Sequence, residues 1–217
     1  AAQAFPDLPA DQWYTGKSSA ENKKEALTFF DEWIGLTTTR GQGEFDSPTY
    51  MSVYLAPLFG LAQWTEDPEM KAKANAMVLW LLADYAVEHL KGLYTGAHSR
   101  EYPERLILSK HPASLMNGWG WLLFDQTGEP MFNETLVSAA LGDWVLPDII
   151  YHIGTDRDEP YTHTETKRVR HVLRLGDARR NPPVYKITHM TSDYALGSMM
   201  GGRILQPIQQ HTWDVSY

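Results

Sequence analysis

Three helix-start signals in the first third of the sequence constrain this chain more than any other feature. Ser18 is followed three residues later by Glu21, which is the spacing of a capping box. Ser47-Pro48 and Asp67-Pro68 each place a capping side chain directly before a proline, whose missing N–H removes no helical hydrogen bond there. The sequence therefore predicts three successive helices with short connectors, which is typical of antiparallel helical hairpins.

Apolar patterning and glycine set the expected ends of these helices. The first helix carries a broad apolar face and is predicted to stop near Gly35. The second is predicted to run to about Trp64, with a kink at Pro57. The third and longest is predicted over 68–91, because apolar residues recur there at helical spacing, and Gly92 is predicted to close it.

The second half of the chain has a different texture. Shorter helices are predicted over 112–124 and from Asn133 to Trp144, whereas residues 155–167 are polar and are predicted to form a loop. The segments that resemble strands are 168–175, 184–190 and 211–217.

These patterns predict a mainly α fold in two parts. A helical body covers 1–154, and an extended, partly β segment over 155–217 either closes that body or begins a further domain. Hydrophobic residues make up 43% of the chain and charged residues 21%, which are ordinary globular values, so disorder is not indicated.

Composition argues against several classes of function. A net charge of −8 disfavours nucleic-acid binding, because neutralising phosphates requires a basic surface. No run of eighteen apolar residues indicates a membrane span. The chain has no cysteine, its eight histidines lack the paired spacing of a zinc site, and it has no glycine-rich nucleotide motif. Neither a metal nor a cofactor is therefore expected.

The segment Thr95–Tyr102 is the first candidate site. If it is extended, His98, Arg100 and Tyr102 share one face, since side chains two apart point the same way. An imidazole, a fixed cation and a phenol can together hold an anion and move a proton. The structural alternatives are a loop histidine that donates to a backbone carbonyl, an arginine in an ion pair and a tyrosine in the core.

A second candidate lies in the loop before the second helix. Glu44 and Asp46 form a carboxylate pair, which is what a glycoside hydrolase needs. Tyr50, in the first turn of that helix, could reach the same cleft. The structural alternative for Asp46, which we favour, is support of the helix dipole.

The order of the two motifs, from Gly43 to Tyr50 and then from Thr95 to Tyr102, resembles (α/α)-toroid carbohydrate-active proteins. These include heparinase- and alginate-lyase-like polysaccharide lyases and relatives with an E-x-(N/D)-S-P-T-Y … G-x-H-S-R-x-Y pattern. The match covers about residues 40–105, with a fainter echo at 192–198 and 210–213. The resemblance implies antiparallel helical hairpins that form such a toroid or part of one. A complete toroid needs more helices than this sequence contains, so we expect a missing remainder of the chain, a homo-oligomer or a smaller architecture.

The resemblance also implies a function: cleavage of a uronate-containing polysaccharide, such as alginate or glucuronan, by β-elimination. Arg100, aided by Asn117, would neutralise the uronate carboxylate, and His98 with Tyr102 or Tyr50 would transfer the protons. Further substrate contacts are expected from Glu44, Asn117, Trp119, Tyr194 and His211.

Two other functions stay open at this point. One is a glycoside hydrolase that uses Glu44 and a second carboxylate, and the other is a non-catalytic glycan-binding helical module. The expected partner is an anionic polysaccharide, with no nucleic acid and no membrane. The small residues Ala1-Ala2-Gln3-Ala4 resemble the end of a signal cleavage site, so a secreted or periplasmic location is expected.

Overall fold

A computed structural model describes residues 1–99, 115–124, 132–168, 183–201 and 213–216. In chain order its main elements are α1 (Ser19–Arg40), α2 (Tyr50–Trp64), α3 (Pro68–Ala86), β1 (His89–Leu90), β2 (Leu93–Tyr94), α4 (Leu115–Phe124), α5 (Val137–Ala140), α6 (Asp148–Thr155), β3 (Tyr161–Lys167), β4 (Val184–Met190), β5 (Ala195–Gly201) and β6 (Trp213–Ser216). Short 3-10 turns cover Ala10–Gln12 and Glu134–Leu136. None of the described helices is long and apolar enough to cross a bilayer.

The prediction of a mainly α fold, built as an (α/α) toroid or part of one, is wrong. The structure is 50% helix and 18% strand, with six helices and two small sheets in the described residues. Much of the difference lies in residues 155–167, which were predicted to be a loop but contain β3. The sequence does not predict this strand because both of its faces carry polar side chains, so the alternation of apolar and polar residues is absent.

Two of the three helix-start signals, Ser18 and Asp67, are correct in position, and the third, Ser47, lies two residues before the N-cap of α2. The Ser18 side chain accepts from the backbone N–H of Glu21, and the Glu21 carboxylate accepts from the N–H of Ser18, so the capping box is complete. Asp67 Oδ1 accepts from the N–H of Met70 at 2.8 Å. Ser47 Oγ accepts from the N–H of Tyr50 at 3.2 Å, although α2 itself begins two residues after Pro48.

Two predicted helix ends are wrong. α1 continues past Gly35 to Arg40, and the hydroxyls of Thr38 and Thr39 donate to carbonyls one turn earlier. α3 ends at Ala86, and the chain then forms the hairpin of β1 and β2. Lys91 and Gly92 both have positive φ, as the tight turn of such a hairpin requires, so Gly92 closes a hairpin and not a helix.

The hydrophobic core lies between α2, α3 and α4. Its fully buried members include Leu55, Phe59, Val78, Leu81, Leu82 and Trp119. The rings of Phe59 and Trp119 stack with centroids 5.1 Å apart, and the Trp119 indole N–H donates to Ser52 Oγ at 2.8 Å. Each such side chain contributes about 1.5–3 kcal/mol through burial, so this core holds the helices together.

Strands β3, β4, β5 and β6 form one antiparallel sheet in that order. The inner face points toward the helices and carries His163, Glu165, Lys167, Val184, Lys186, Thr188, Met190, Ala195, Gly197 and Met199. The outer face carries Thr162, Thr164, Thr166, Tyr185, Ile187, His189, Leu196, Ser198, Met200, Trp213 and Val215. Strand β4, predicted over 184–190, is confirmed at those bounds.

Backbone packs directly on backbone where the sheet meets the loop after β2. A Cβ added to Gly197 would lie 2.5 Å from the Cα of Gly96 and 2.7 Å from the N of Ala97, so no side chain fits between them. A small apolar cluster of Phe45, Ala97, Val184 and Met199 seals the same junction. The loops before α2 and after β2 are thereby held over the inner face.

Candidate functional site

Six charged side chains meet between the helices and the inner face of the sheet. We call this group the charged cluster; its members are Asp46, Asp84, Glu88, Glu165, Lys167 and Lys186. Three parts of the chain supply them: the loop before α2, the end of α3 with the residues that follow, and the adjacent strands β3 and β4. Glu165 and Lys167 share the inner face because they are two residues apart, and Lys186 lies opposite Glu165 in the register.

Lys186 lies at the centre of the buried half of the cluster and is 1% exposed. Its ammonium contacts Asp46 Oδ2, Glu88 Oε2 at 2.8 Å and Glu165 Oε1 at 3.1 Å. Burial alone would lower the pKa of Lys186, but these carboxylates outweigh it and hold the pKa above its usual value.

The same three carboxylates have the arrangement of a cation site. One oxygen from each of Asp46, Glu88 and Glu165 lies within 4.8 Å of the others. Because the Lys186 ammonium touches all three, an internal cation already occupies the position that a metal ion would take. The geometry therefore fits a structural ion cluster better than a metal centre.

Lys167 connects the buried half to the solvent side. Its Nζ lies 2.5 Å from each oxygen of Asp84, 2.9 Å from Asp46 Oδ1 and 3.0 Å from Glu165 Oε2. The neighbouring carboxylates raise its pKa against the opposing effect of burial. One ammonium thus holds three carboxyl groups from three different elements.

Four carboxyl groups face only two ammonium groups within the cluster, and their pKa values separate. Burial, with a smaller contribution from the charges of Asp46 and Glu165, raises the pKa of Asp84 to about 7. Burial also raises the pKa of Glu88. Burial acts the same way on Glu165, but His163, whose Nε2 lies 3.7 Å from Glu165 Oε2, and the two lysines hold its pKa well below the usual range. At neutral pH the cluster therefore combines a protonatable carboxyl with a firmly ionised one.

A cleft of about 260 Å³ opens onto this cluster. It is lined by Thr37, Thr38, Gly41, Gln42, Phe45, Trp80, Asp84, Glu165, Thr166, Lys167 and Arg168. The Trp80 side chain is 42% exposed, so a flat aromatic surface borders the charged groups. Thr37 also lines the cleft, but it is fully buried, and its hydroxyl has no hydrogen-bond partner among the described residues.

His98 is not among the residues that line this cleft. His98 is buried, and its Nδ1 and Nε2 face the backbone carbonyls of Asp46, at 2.8 Å, and Tyr94, at 3.0 Å. This is the geometry of the structural alternative, a histidine that ties one loop to another. Arg100, Tyr102 and His211 lie outside the described residues, so their predicted roles stay predictions.

The other predicted site residues lie in three parts of the chain: the start of α2, α4 and the turn before β5. Glu44 and Tyr50 are half-buried at the entrance to α2. Asn117 and Trp119 are buried in α4, where Trp119 belongs to the hydrophobic core. Tyr194 is partly exposed in the turn before β5, with its ring 6.1 Å from that of His189. None of these five residues lines the cleft.

Five members of the cluster were not predicted from the sequence, namely Asp84, Glu88, Glu165, Lys167 and Lys186. Two signals could have pointed to them. Asp84 interrupts the apolar run at the end of the longest helix, and Glu165 and Lys167 place opposite charges on one side of an alternating segment. Asp46 was expected to support the dipole of α2, but its carboxylate instead contacts Lys186 and Lys167.

Comparisons with protein-family models, with curated proteins and with solved structures found no match to this chain. The resemblance to carbohydrate-active toroid proteins stays a prediction, and a function has to be argued from the cleft itself.

Proposed function

We propose that the cleft binds a polysaccharide and hydrolyses a glycosidic bond, with Asp84 as the general acid and Glu165 as the ionised carboxylate. A single observation carries the proposal: one cleft holds two carboxyl groups whose environments shift their pKa values in opposite directions. Such a pair divides the roles of acid and of nucleophile or base, as glycoside hydrolysis requires.

Asp84 suits the acid role because its pKa of about 7 keeps a proton available near neutral pH. The ionised form is held by Lys167, which contacts both of its oxygens. A protonated Asp84 attracts that ammonium far less, and Lys167 keeps its contacts to Asp46 and Glu165. Protonation therefore frees Asp84 to face the leaving oxygen of a bound sugar.

The spacing of the two carboxyl groups favours one stereochemical course. Asp84 Oδ2 and Glu165 Oε2 lie 2.5 Å and 3.0 Å from the same Lys167 nitrogen, so these oxygens are at most 5.5 Å apart. Retaining enzymes have carboxyl groups about 5–5.5 Å apart, whereas inverting enzymes leave about 6.5–9.5 Å for a water molecule. We therefore expect retention, with Glu165 as nucleophile.

The rest of the lining suits a sugar. Trp80 offers an exposed ring against which a pyranose can stack. Thr38 and Gln42 add further polar groups to the lining. An aromatic ring beside several hydrogen-bonding groups complements a sugar, which has an apolar face and several hydroxyl groups.

β-Elimination on a uronate polymer is the second candidate, and Lys167 and Arg168 favour it because both cations line the cleft. A cation there could neutralise the uronate carboxylate. The excess of carboxyl groups in the cluster opposes an anionic substrate, so we place hydrolysis first. In both reactions the cleft, and not His98, holds the reacting bond.

One experiment separates these functions. The protein is incubated with neutral glycans and with alginate and glucuronan, while reducing ends and the absorbance of unsaturated uronate are followed. New reducing ends without that absorbance support hydrolysis, and growth of the absorbance supports elimination. Binding without cleavage supports the glycan-binding module and contradicts an enzymatic role.

Variants then test the assignment. Asp84→Asn and Glu165→Gln should each lower kcat by about 10²-fold or more, because each removes a group that acts in the transition state. Glu159→Gln, an exposed carboxylate outside the cleft, is the matched control and should retain the wild-type rate. A folded Asp84→Asn protein with full activity contradicts the proposal.

A further inference from the structure

The outer face of the sheet is apolar, although it faces solvent. Six side chains form what we call the outer patch: Tyr185, Ile187, Leu196, Met200, Trp213 and Val215. Trp213 is 69% exposed, Met200 58% and Tyr185 51%. Large contiguous apolar patches are uncommon on soluble monomers and mark interaction surfaces.

The register shows that the patch is continuous. Tyr185 lies opposite Met200 in one cross-strand row, and Leu196 lies opposite Val215 in another. Ile187, Ser198 and Trp213 form the row between them. Side chains opposite each other in antiparallel strands are about 5 Å apart, so these residues touch or nearly touch.

Charge is missing from this surface. The described residues of the outer face include no aspartate, glutamate, lysine or arginine, since the polar positions are threonines, a serine and His189. The chain as a whole carries a net charge of −8, which would oppose the approach of two copies through a charged surface. The described residues of the outer face add no charge of their own to that repulsion.

The size of the patch fits a pair of identical chains. From the exposed fractions, the six side chains present roughly 600 Å² of surface on each copy. Two such faces in contact would bury about 1,200 Å², which is the lower end of the range for specific interfaces. We propose that the outer face is a self-association surface, on which two copies of this chain pack sheet against sheet.

The middle row of the patch gives this pairing a fitting shape. Trp213 is the most exposed member of the patch, and its cross-strand neighbour Ser198 is small, so a projection and a depression lie side by side. A two-fold axis between them places the Trp213 ring of each copy over Ser198 of the other. Such an isologous contact closes on itself and stops at a dimer.

Sedimentation velocity over a wide range of protein concentration tests the proposal. The wild-type chain should show a concentration-dependent monomer–dimer equilibrium. Ser198→Arg fills the depression at an exposed position and should weaken dimerisation by at least about tenfold. Leu196→Lys places a charge in the patch and should do the same. The thermal unfolding of both variants, measured at low concentration, should stay close to that of the wild type.

Leu141→Lys is the matched control, because Leu141 is 74% exposed at the end of α5 and lies off the sheet. It should leave the dimer intact. Three results would overturn the proposal: a monomer at every concentration, open-ended aggregation in place of a dimer, or a dimer that survives both outer-face changes. A monomer whose outer face instead binds an insoluble polysaccharide or another protein also overturns it.

Discussion

The two faces of the four-stranded sheet depart from the usual distribution of side chains. The inner face is covered by helices, yet it carries a histidine, a glutamate and two lysines, whereas the outer face is exposed and carries six large apolar residues. Antiparallel sheets with one solvated face ordinarily turn their apolar side inward. The difference shows that charged side chains can be buried on the inner face because each of them forms ion pairs with residues on another element.

The two faces also differ in how they respond to change. Truncation of an apolar side chain on an exposed face lowers the free energy of unfolding only slightly. A charge on a buried face depends on its partners, so removal of one partner leaves another charge buried and unpaired, which costs more than the pair contributed. Four predictions test this contrast, from the largest effect to the smallest.

Loss of the central ammonium should be the most damaging change. Lys186→Met keeps the volume but leaves Asp46, Glu88 and Glu165 facing one another without that ammonium. We expect a loss of about 3–5 kcal/mol in the free energy of unfolding, measured by urea denaturation. Lys91→Met, which removes an exposed lysine 3.7 Å from Asp193, should cost at most a few tenths of a kcal/mol. Equal effects for the two variants would contradict the contrast between the faces.

Stability should fall as pH rises from about 5 to about 8. The pKa of Asp84 is about 7 in the fold and about 3.9 in an unfolded chain, so between these values the folded state holds a proton that the unfolded chain has released. Because the folded state binds this extra proton, raising the pH disfavours it and lowers the free energy of unfolding by about 2–4 kcal/mol. The raised pKa of Glu88 acts in the same direction. Urea denaturation at several pH values measures this, and Asp84→Asn should flatten the profile. A rise in stability over this range would contradict it.

The close contact of the sheet with the loop after β2 should tolerate no added atom. Gly197→Ala places a Cβ 2.5 Å from the Cα of Gly96, so either backbone has to move, at a cost of about 1–3 kcal/mol. Gly35→Ala is the control: nothing lies within 4 Å of its Cβ position, and the residue is inside α1. Since alanine favours a helix interior, that variant should be more stable by about 0.5–1 kcal/mol. Thermal unfolding of both variants tests this prediction. Midpoint temperatures that shift in the same direction for Gly197→Ala and Gly35→Ala would contradict it.

The smallest effect should come from the largest exposed side chain. Trp213→Ala removes an indole that is mostly in solvent, and at protein concentrations too low for dimers it should cost less than about 1 kcal/mol. Phe59→Ala, in the fully buried helical core, should cost about 3–5 kcal/mol in the same urea measurement. If Trp213→Ala is as damaging as Phe59→Ala, the outer face is part of the core of a single copy.

Local signals in the sequence were sufficient for the starts of α1 and α3. The Ser18 and Asp67 caps lie at their predicted positions, because a cap is decided by residues within one turn of each other. The prediction for the end of α3 is wrong because apolar residues at helical spacing continue through β1, and only the turn at Val87 and Glu88 separates α3 from β1.

The charged cluster could not be predicted from local sequence patterns. Lys186 and Asp46 are 140 residues apart in the chain and meet only when the sheet packs onto the helices. The polar alternation of β3 predicts a loop unless its partners are known, since a strand with a charged inner face lacks the apolar repeat that reveals strands. The toroid prediction failed because it extended two short motifs near α2 and β2 to the whole chain.

The backbone of Asp46 restricts what evolution or design can place there. Its φ of 50° lies in the left-handed region, which glycine, asparagine and aspartate tolerate best, while its carboxylate must oppose Lys186 and Lys167. Glutamate has the charge without the backbone tolerance, and asparagine has the tolerance without the charge. Two independent requirements therefore intersect in one amino acid, and we expect aspartate to be the sole survivor at this position in a library of all twenty residues selected for folding.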